Sequence, residues 1–338
     1  MSLNNSVNVA LIGAGRIGSF HAESVVYRLA DANLAAIADP APGTANQLAE
    51  KLGCSFATTD PKTVLSDPDI HAVIIATPAR YHSNLVAAAA EAGKAVFCEK
   101  PMALTIEEAN RAIDAAKSAN VPLQVGFNRR WDKAFSEGHE AIANGQVGTP
   151  QLLRSLTRDP GPFGADPARI PNWTIFYETL IHDFDTLLWL NIGAKPVEVY
   201  AVADALIRPD FKEAGHLDTA VVTIRFDNGA IAVADANFSA LYGYDVRGEV
   251  FGSEGMVTMG DARRSSMTLF NSQGVSCDTF RLDAHHFLDA YTAQLASFIN
   301  TVRTGEVKGP GGEDARSALK IALACIQSVK IKAPVSLG

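Results

Sequence analysis

The sequence is poor in cysteine, and its cysteines are not paired. Cys54, Cys98, Cys277 and Cys325 are scattered over 338 residues, without the spacing of a zinc site or of a disulfide framework. The eight histidines show no metal-ligand spacing with cysteines or acids, so we expect no metal and find little support for a hydrolase or metalloenzyme. We expect buried free thiols in a reducing compartment, which favours a cytoplasmic protein.

Positive charge and long apolar runs are also scarce. Acidic residues outnumber basic residues by 37 to 29, and the net charge of −8 leaves no basic stripe for nucleic acid. No apolar stretch approaches the roughly 20 residues that span a bilayer. Met1–Asn8 is polar and uncharged, unlike a signal peptide. We therefore expect no nucleic-acid and no membrane partner.

The order of the predicted elements divides the chain into two parts. From residue 8 to 127, short apolar strands alternate with helices, which predicts a doubly wound parallel sheet covered on both faces. Beyond Lys195, strands follow one another, with a hairpin signal at Asp227–Gly229. This pattern predicts a large, mostly antiparallel open sheet with helices on one face. The fold class is α/β, with a first domain at 1–128 and an α+β domain at 129–338.

Four further segments of the second part have clear local patterns. Pro and Gly dominate Asp159–Pro171, which predicts a loop, and a regular helix is predicted at Phe176–Leu190. Two helices, at His286–Arg303 and Glu313–Lys330, are predicted to end the chain.

A glycine-rich turn separates the first predicted strand from the first helix. Gly13 permits a tight turn, Gly15 lets the backbone approach a pyrophosphate, and Gly18 lets the helix pack closely on the strand. Asp39 ends the next strand, where a carboxylate accepts hydrogen bonds from a ribose 2′-hydroxyl and repels a 2′-phosphate. An ordinary strand–helix turn is the alternative, but this context favours a dinucleotide, and NAD over NADP.

A lysine follows another strand of the same predicted sheet. Lys100, in Glu99-Lys100-Pro101, would lie beside a bound nicotinamide, where it can hydrogen-bond or exchange protons with a substrate hydroxyl. A solvent-facing lysine in a turn is the alternative, and this short motif alone does not decide.

An acid and a histidine share one face of the helix predicted at Phe176–Leu190. Glu178 and His182 are four residues apart, so the carboxylate can hold the imidazole and raise its basicity, and Asp185 can flank the same face. A histidine oriented by a carboxylate is suited to act as a general base. A helix that packs its apolar side on a core, with solvated acids, would show the same spacing.

Seven motifs occur in order between residue 9 and about residue 303. They are Gly13-Ala-Gly15-Arg16-Ile17-Gly18 with His21, Thr77-Pro78 with His82, Phe97-Cys-Glu99-Lys100-Pro101-Met102, Gly126-Phe-Asn-Arg129-Arg130-Trp-Asp132, Arg158-Asp159-Pro160, Ile181-His182-Asp183-Phe-Asp185 and Tyr242-Gly-Tyr244-Asp245 with Arg247. Together they resemble the Gfo/Idh/MocA oxidoreductase family, and its inositol 2-dehydrogenase branch in particular. The series is far more specific than any single motif.

The resemblance implies an NAD-binding Rossmann domain at 1–128 and a substrate-binding domain at 129–338. The open sheet of the second domain would form the contact of a homo-oligomer, a dimer or tetramer. The implied reaction is NAD-linked oxidation of a secondary hydroxyl on a cyclic polyol, such as myo-inositol or a related inositol, or on a sugar.

The resemblance also implies residue roles. Lys100 and His182 would be the catalytic pair, with Glu178 beside the histidine, and Lys100–Pro101 is a candidate cis peptide. The residues implied in substrate binding are Arg129, Asp159, Asp185 and Tyr244. The residues implied in cofactor binding are Gly13, Gly15, Arg16, Ile17, Gly18, Asp39, Thr77, Pro78, His82, Glu99 and Lys100.

One position departs from the branch. Where the branch usually has Asp four residues before the histidine, this chain has Glu178, preceded by the bulky Ile175-Phe176-Tyr177. Glu is one methylene longer and can still orient His182, but it reshapes the pocket. Another sugar dehydrogenase or keto-sugar reductase of the family is therefore the first alternative. The second is an NAD-binding sensor with an inactive site, although a sensor needs neither Lys100 nor His182.

Overall fold

The computed structural model describes residues 6–161 and 170–337. Its first part alternates short, fully buried strands with helices, as the apolar runs predict. The elements are β1 Val7–Ile12, α1 Arg16–Arg28, β2 Ala32–Ala38, α2 Thr44–Leu52, β3 Ala57–Thr58, α3 Pro61–Leu65, β4 Ala72–Ile75, α4 His82–Glu91, β5 Ala95–Cys98, α5 Ile106–Ala119 and β6 Leu123–Val125.

These strands form one parallel sheet in the order β3-β2-β1-β4-β5-β6. The strand order reverses between β1 and β4, and a ligand binds such a doubly wound sheet at the carboxyl ends of the strands next to this reversal. We call these strand ends the carboxyl edge. The predicted doubly wound parallel sheet is confirmed.

The second part contains fewer helices between its strands. Its elements are α6 Lys133–Ala143, β7 Pro150–Arg158, a π-helical segment Ile175–Leu180, α7 Ile181–Leu190, β8 Pro196–Asp204, α8 Pro209–Glu213, β9 Thr219–Phe226, β10 Ile231–Asn237, β11 Asp245–Gly252, β12 Met256–Met259, β13 Arg263–Asn271, β14 Gly274–Thr279, α9 Asp283–His286, α10 Leu288–Thr304, α11 Gly312–Ile331 and β15 Val335–Ser336.

Seven of these strands form a second sheet in the order β12-β11-β7-β10-β9-β8-β15. The pair β7–β10 is parallel and the other pairs are antiparallel, so the predicted mostly antiparallel sheet is confirmed. Burial alternates strictly along β9, where Ala220, Val222 and Ile224 are buried and the residues between them are exposed. One face of the sheet is therefore covered and the other is open. Among the described residues, strands β13 and β14 pair only with each other.

Packing divides the chain into two compact units. The first unit comprises Met1–Trp131 and Asp289–Arg316, and the second comprises Asp132–Leu288 and Ser317–Gly338. The division predicted after residue 128 differs from this because it leaves Asp289–Arg316 in the second domain. The physical reason is the apolar face of α10, whose residues Leu295, Phe298 and Ile299 belong to the core around β1 and β5.

Three local expectations have different outcomes. The regular helix predicted at Phe176–Leu190 is wrong in its first part, because Ile175–Leu180 is π-helical and only Ile181–Leu190 is α-helical. Most of the loop predicted at Asp159–Pro171 lies outside the described residues. All four cysteines are free, but the prediction that they are all buried is wrong, since Cys277 is exposed on β14 and Cys54 is half-buried.

Within residues 6–161 and 170–337, no helix is both long and apolar enough to cross a membrane. The same residues contain no group of three or more His, Cys, Asp or Glu side chains arranged to hold a metal ion.

Candidate active site

The turn between β1 and α1 is built from glycines that other residues cannot replace. Gly13 has a left-handed φ of 100°, and a Cβ there would lie 2.7 Å from the carbonyl carbon of Ala76. A Cβ on Gly18 would lie 1.8 Å from the carbonyl oxygen of Gly13. These two glycines therefore fix the path of the turn, as the motif predicts.

Gly15 differs from Gly13 and Gly18 because the space beside it is open. A Cβ on Gly15 would meet no atom within 4 Å, yet Gly15 is the residue from which α1 begins, and no side chain caps that helix. The open space therefore lies beside Gly15 at the start of α1, where the first backbone N–H groups carry the positive end of the helix dipole. This cradle fits the pyrophosphate of a dinucleotide. Arg16 is exposed and Ile17 half-buried at the start of the helix.

Asp39 lies directly beside this turn. Its Oδ2 accepts a hydrogen bond from the backbone N–H of Ala14 at 2.7 Å, and its Oδ1 accepts one from Ala41 at 2.9 Å. The carboxylate is half-buried, and each oxygen keeps a further lone pair for a ribose hydroxyl. A negative charge fixed at this place disfavours a 2′-phosphate, which agrees with NAD.

Thr77 and Pro78 follow β4 at the carboxyl edge. The Thr77 hydroxyl oxygen is buried and makes no hydrogen bond to any part of the chain that the structure describes. A buried hydroxyl without a protein partner is rare. It is the kind of group that a bound ligand satisfies, so Thr77 also fits a cofactor site.

Glu99 ends β5 and is 7% exposed. Its Oε1 lies 2.6 Å from Nε2 of the fully buried His21, and its Oε2 accepts a hydrogen bond from the backbone N–H of Lys100 at 3.2 Å. Burial would raise the pKa of the Glu99 carboxyl, but the hydrogen bond with His21 and the positive charges of His21, Lys100 and His82 outweigh it and lower the pKa. Glu99 is therefore a buried carboxylate.

Lys100 is half-buried at the same edge, and the Lys100–Pro101 peptide is cis, as predicted. His82 begins α4, and both of its ring nitrogens contact protein carbonyl groups. Arg129, in the short helical turn Asn128–Trp131 that follows β6, is only 3% exposed. The structure thus brings the predicted cofactor residues and Lys100 together at the carboxyl edge of the first unit.

The second group of candidate residues belongs to the second unit. Glu178 lies in the π-helical segment, whereas His182 lies in the first turn of α7, and both side chains are half-buried. In a π-helical turn the hydrogen bonds run from i to i+5, so the α-helical rule for residues four apart does not hold across this junction. Such segments occur frequently at functional sites.

The backbone before this segment adopts an unusual conformation. Trp173 has a left-handed φ of 63°, which is rare for a bulky residue. Its carbonyl oxygen accepts hydrogen bonds from the N–H groups of Phe176 at 2.9 Å and Tyr177 at 3.1 Å. The chain therefore turns sharply at Trp173 before it enters the segment that carries Glu178.

Asp183, next to His182, anchors α7 to the sheet. It is fully buried, and its two carboxylate oxygens accept hydrogen bonds from the hydroxyl groups of Ser155 at 2.6 Å and Thr157 at 2.8 Å. Sequence analysis did not assign these two β7 residues a role. The sequence shows that Ser155 and Thr157 are two residues apart, which puts both hydroxyls on one face of a strand. No neighbouring residue in the sequence identifies Asp183 as their partner.

Asp159 and Tyr244 are brought together, although they are far apart in the sequence. The Tyr244 hydroxyl donates a hydrogen bond to Oδ2 of Asp159 at 2.6 Å, and Oδ1 accepts one from the backbone N–H of Gly161 at 2.6 Å. Asp185, in contrast, is 1% exposed within α7. The predicted substrate residues of this unit thus differ in access, and the structure brings Asp159 and Tyr244 into direct contact.

The same end of the sheet has charged residues that sequence analysis left without a role. Asp245 is 2% exposed and accepts hydrogen bonds from the Tyr242 hydroxyl at 2.8 Å and from Arg247 at 2.8 and 2.9 Å. Arg158 forms an ion pair with the buried Asp235 on the neighbouring strand β10. Burial, followed by the hydrogen bond to Asp245, raises the pKa of Tyr242, which keeps this phenol a proton donor.

The chain resembles known proteins along almost its whole length. The family model described as "Oxidoreductase family, NAD-binding Rossmann fold" matches residues 7–127, and that of the "GFO/IDH/MocA C-terminal domain" matches residues 135–258. The chain is 38% identical to myo-inositol 2-dehydrogenase of Thermotoga maritima over 98% of both chains. It is 35% identical to scyllo-inositol 2-dehydrogenase (NAD(+)) of Bacillus subtilis, over 99% of this chain and 97% of that one.

Solved structures agree with these sequence relatives. The structure of scyllo-inositol dehydrogenase from Lactobacillus casei with bound NAD(H) and scyllo-inositol superposes with a TM-score of 0.94 at 26% identity. The match covers 98% of this chain and 99% of that one.

Proposed function

Because the chain belongs to the Gfo/Idh/MocA oxidoreductase family, we propose that it is an NAD-dependent dehydrogenase acting on a cyclic polyol. The substrate is myo-inositol or a related inositol, and one secondary hydroxyl is oxidised to the ketone. The observation that carries this proposal is the open cradle at Gly15, with Asp39 beside it and Lys100 at the same carboxyl edge. The inositol dehydrogenases among the relatives support the substrate class.

The first unit would hold the cofactor. Its backbone N–H groups at the start of α1 would bind the pyrophosphate, Asp39 would bind a ribose hydroxyl, and Thr77 would donate or accept a further hydrogen bond. When bound, NAD supplies the acceptor for the hydride that leaves the substrate carbon. We assign cofactor binding to 1–128, and substrate binding and oligomer contacts to 129–338.

His182 is the proposed general base. It would remove the proton from the reacting hydroxyl, Glu178 would hold the imidazole, and Lys100 would stabilise the developing alkoxide by its positive charge. The proton then passes from His182 to solvent, so that secondary alcohol and NAD⁺ give ketone, NADH and a proton. Lys100 and His182 belong to different units, and their joint action on one hydroxyl is part of the proposal. An alternative makes Lys100 the base.

The remaining hydroxyl groups of the substrate need partners. We propose Arg129, Asp159, Asp185 and Tyr244 for this role. The 2.6 Å bond between Tyr244 and Asp159 supports the assignment of that pair, because it fixes the carboxylate before a ligand arrives.

A substrate panel tests this function directly. The purified protein is mixed with NAD or NADP and with a set of inositols, aldoses and keto-sugars, and the absorbance of reduced cofactor is followed. We expect turnover with an inositol and NAD. Turnover only with an aldose or keto-sugar would show that the protein is another sugar dehydrogenase or keto-sugar reductase of the family. Bound NAD without turnover on any compound would favour an inactive sensor.

The base assignment has its own test. His182→Ala should lower kcat by about 100-fold or more, since general base catalysis contributes roughly 10²–10⁴-fold, while the dissociation constant for NAD stays close to that of the wild type. Thr174→Ala, which changes an exposed hydroxyl near the π-helical segment, is the matched control. Wild-type turnover in His182→Ala would contradict the assignment and favour Lys100 as the base.

We further propose that the protein is a homo-oligomer, a dimer or tetramer, in the cytoplasm. The open face of the second sheet supports the first point, because it carries exposed apolar side chains on neighbouring strands. Phe251, Leu152 and Ile231 lie side by side on β11, β7 and β10, and Val221 lies beside Val202 on β9 and β8, with Tyr200 also exposed on β8. Such a patch usually marks an interface. The exposed free thiol of Cys277 supports a reducing compartment. Light scattering of the purified protein measures the oligomer size.

A further inference from the structure

His82 occupies an unusual place between the ends of two parallel strands. Its side chain is buried, with 1% of the residue exposed at the start of α4. Nδ1 lies 2.8 Å from the carbonyl oxygen of Pro101, which follows β5, and Nε2 lies 2.6 Å from the carbonyl oxygen of Thr77, which follows β4. One imidazole therefore joins the two connections that leave the carboxyl edge.

Both partners of this imidazole are acceptors. A carbonyl oxygen has no proton to donate, so two hydrogen bonds form only if both ring nitrogens carry a proton. A neutral ring would place one bare nitrogen against a carbonyl oxygen at hydrogen-bond distance, in a buried place where this repulsion is not relieved by water. The geometry thus selects the imidazolium, and the buried carboxylate of Glu99 supplies the opposite charge nearby.

Lys100 is held on both sides by this arrangement. Glu99 accepts a hydrogen bond from the backbone N–H of Lys100, and His82 binds the carbonyl oxygen of the next residue, Pro101. The imidazole has both nitrogens engaged and almost no accessible surface, so it offers no polar atom to a cofactor. This differs from the direct cofactor contact that the family resemblance implies for His82.

We propose that His82 is a positioning residue that acts as an imidazolium clamp and fixes Lys100 at the carboxyl edge. The inference rests on the proposed catalytic role of Lys100. A misplacement of about 1 Å at a catalytic group can cost up to about 100-fold in rate. The clamp therefore contributes to turnover without touching substrate or cofactor.

The protonation of His82 is measured on the wild-type protein. Histidine is labelled with ¹⁵N in the ring, and the His82 signals are assigned by comparison with the spectrum of His82→Asn. We expect both ring nitrogens of His82 to carry a directly bonded proton at neutral pH. A signal from one protonated and one bare nitrogen would overturn the clamp, whatever the variants show.

Three variants separate positioning from folding. His82→Phe keeps a ring but removes both donors, and we expect kcat to fall by about 10- to 100-fold while the dissociation constant for NAD changes by less than about twofold. His82→Asn puts an amide nitrogen near the position of Nδ1 and should restore part of kcat through the Pro101 bond. His71→Phe is the control. His71 lies just before β4, at the end of the strand opposite to the carboxyl edge, and its Nδ1 accepts a hydrogen bond from the backbone N–H of Asn8 at 2.9 Å.

A double variant shows whether His82 acts through Lys100. In a Lys100→Met background, His82→Phe should cause no further loss of kcat, because the group that it positions is gone. A further loss equal to that seen in the wild-type background would overturn the proposal, as would full kcat in a folded His82→Phe. If Lys100→Met itself kept wild-type kcat, the catalytic role of Lys100 would fail, whereas the NMR result would still decide the protonation of His82.

Discussion

Replacement of Asp183 is the perturbation whose effect follows most directly from the structure. The carboxylate has no exposed surface, and its two hydroxyl partners, Ser155 and Thr157, are 0% and 3% exposed. Asp183→Ala removes both hydrogen bonds and leaves two buried hydroxyl groups without this acceptor. Because α7 carries His182, we expect the loss to appear both in stability and in turnover.

The magnitude follows from the two bonds. A hydrogen bond to a charged group contributes about 1.5–3 kcal/mol, so Asp183→Ala should lower the free energy of unfolding by about 3–6 kcal/mol. That is a large part of the ~5–15 kcal/mol available to a typical domain. Asp183→Asn keeps an acceptor for one hydroxyl and a donor for the other, at neutral strength, and should cost about 2 kcal/mol.

Urea unfolding measures these differences. The signal is tryptophan fluorescence, to which Trp189 on the same helix contributes. Glu198→Ala is the control, since Glu198 forms a surface ion pair with Arg225 at 3.6 Å and its loss should cost no more than about 1 kcal/mol. The reasoning is refuted if Asp183→Ala unfolds within about 1 kcal/mol of the wild type with an unchanged m-value. We also expect Asp183→Asn to lower kcat more than it raises KM.

Three further predictions concern the first unit. Gly15→Ala should fold normally, since its Cβ meets no atom within 4 Å. Because the methyl group fills the phosphate cradle, the variant should bind NAD about tenfold or more weakly in calorimetry. An unchanged dissociation constant would contradict this prediction. Asp39→Asn removes the charge that repels a 2′-phosphate and keeps an acceptor for the backbone N–H of Ala14. The ratio of kcat/KM for NADP to kcat/KM for NAD should therefore rise about tenfold. A constant ratio would show that Asp39 does not determine the preference for NAD. The pKa of Glu99 lies below its ordinary value of 4.5 in the folded protein, so this carboxylate stabilises the fold fully above that value and less as the pH falls through the folded pKa. Urea unfolding should therefore show a steeper loss of stability on acidification in the wild type than in Glu99→Gln, and equal slopes would refute the assignment.

Much of the first unit is predictable because its signals are local. Each strand of the parallel sheet is followed within three residues by a glycine or a proline, and Gly13, Gly15 and Gly18 have their roles within six residues of chain. The position of Asp39 beside this turn is also predictable, because β1 and β2 are parallel and their carboxyl ends lie side by side. The hairpin at Asp227–Gly229 is local in the same way.

The errors lie where distant residues decide. The periodicity of Phe176–Leu190 favours one regular helix, yet the segment begins with π-helical hydrogen bonds after the left-handed Trp173. The burial expected for every cysteine fails at Cys277, because β14 forms a two-stranded sheet with β13 and is exposed. Both outcomes depend on packing that a sequence window does not contain.

The amino-acid sequence by itself determined the parallel sheet and the dinucleotide turn with its acidic partner, and it supplied Lys100 and His182 as the candidate reactive groups. Each of these depends on short-range sterics or on the chemistry of one side chain. Only the tertiary structure decided that Asp183 anchors α7 and that His82 joins the connections after β4 and β5. Burial makes a polar group bond to whichever partner the fold brings within reach, and that partner can lie anywhere in the chain.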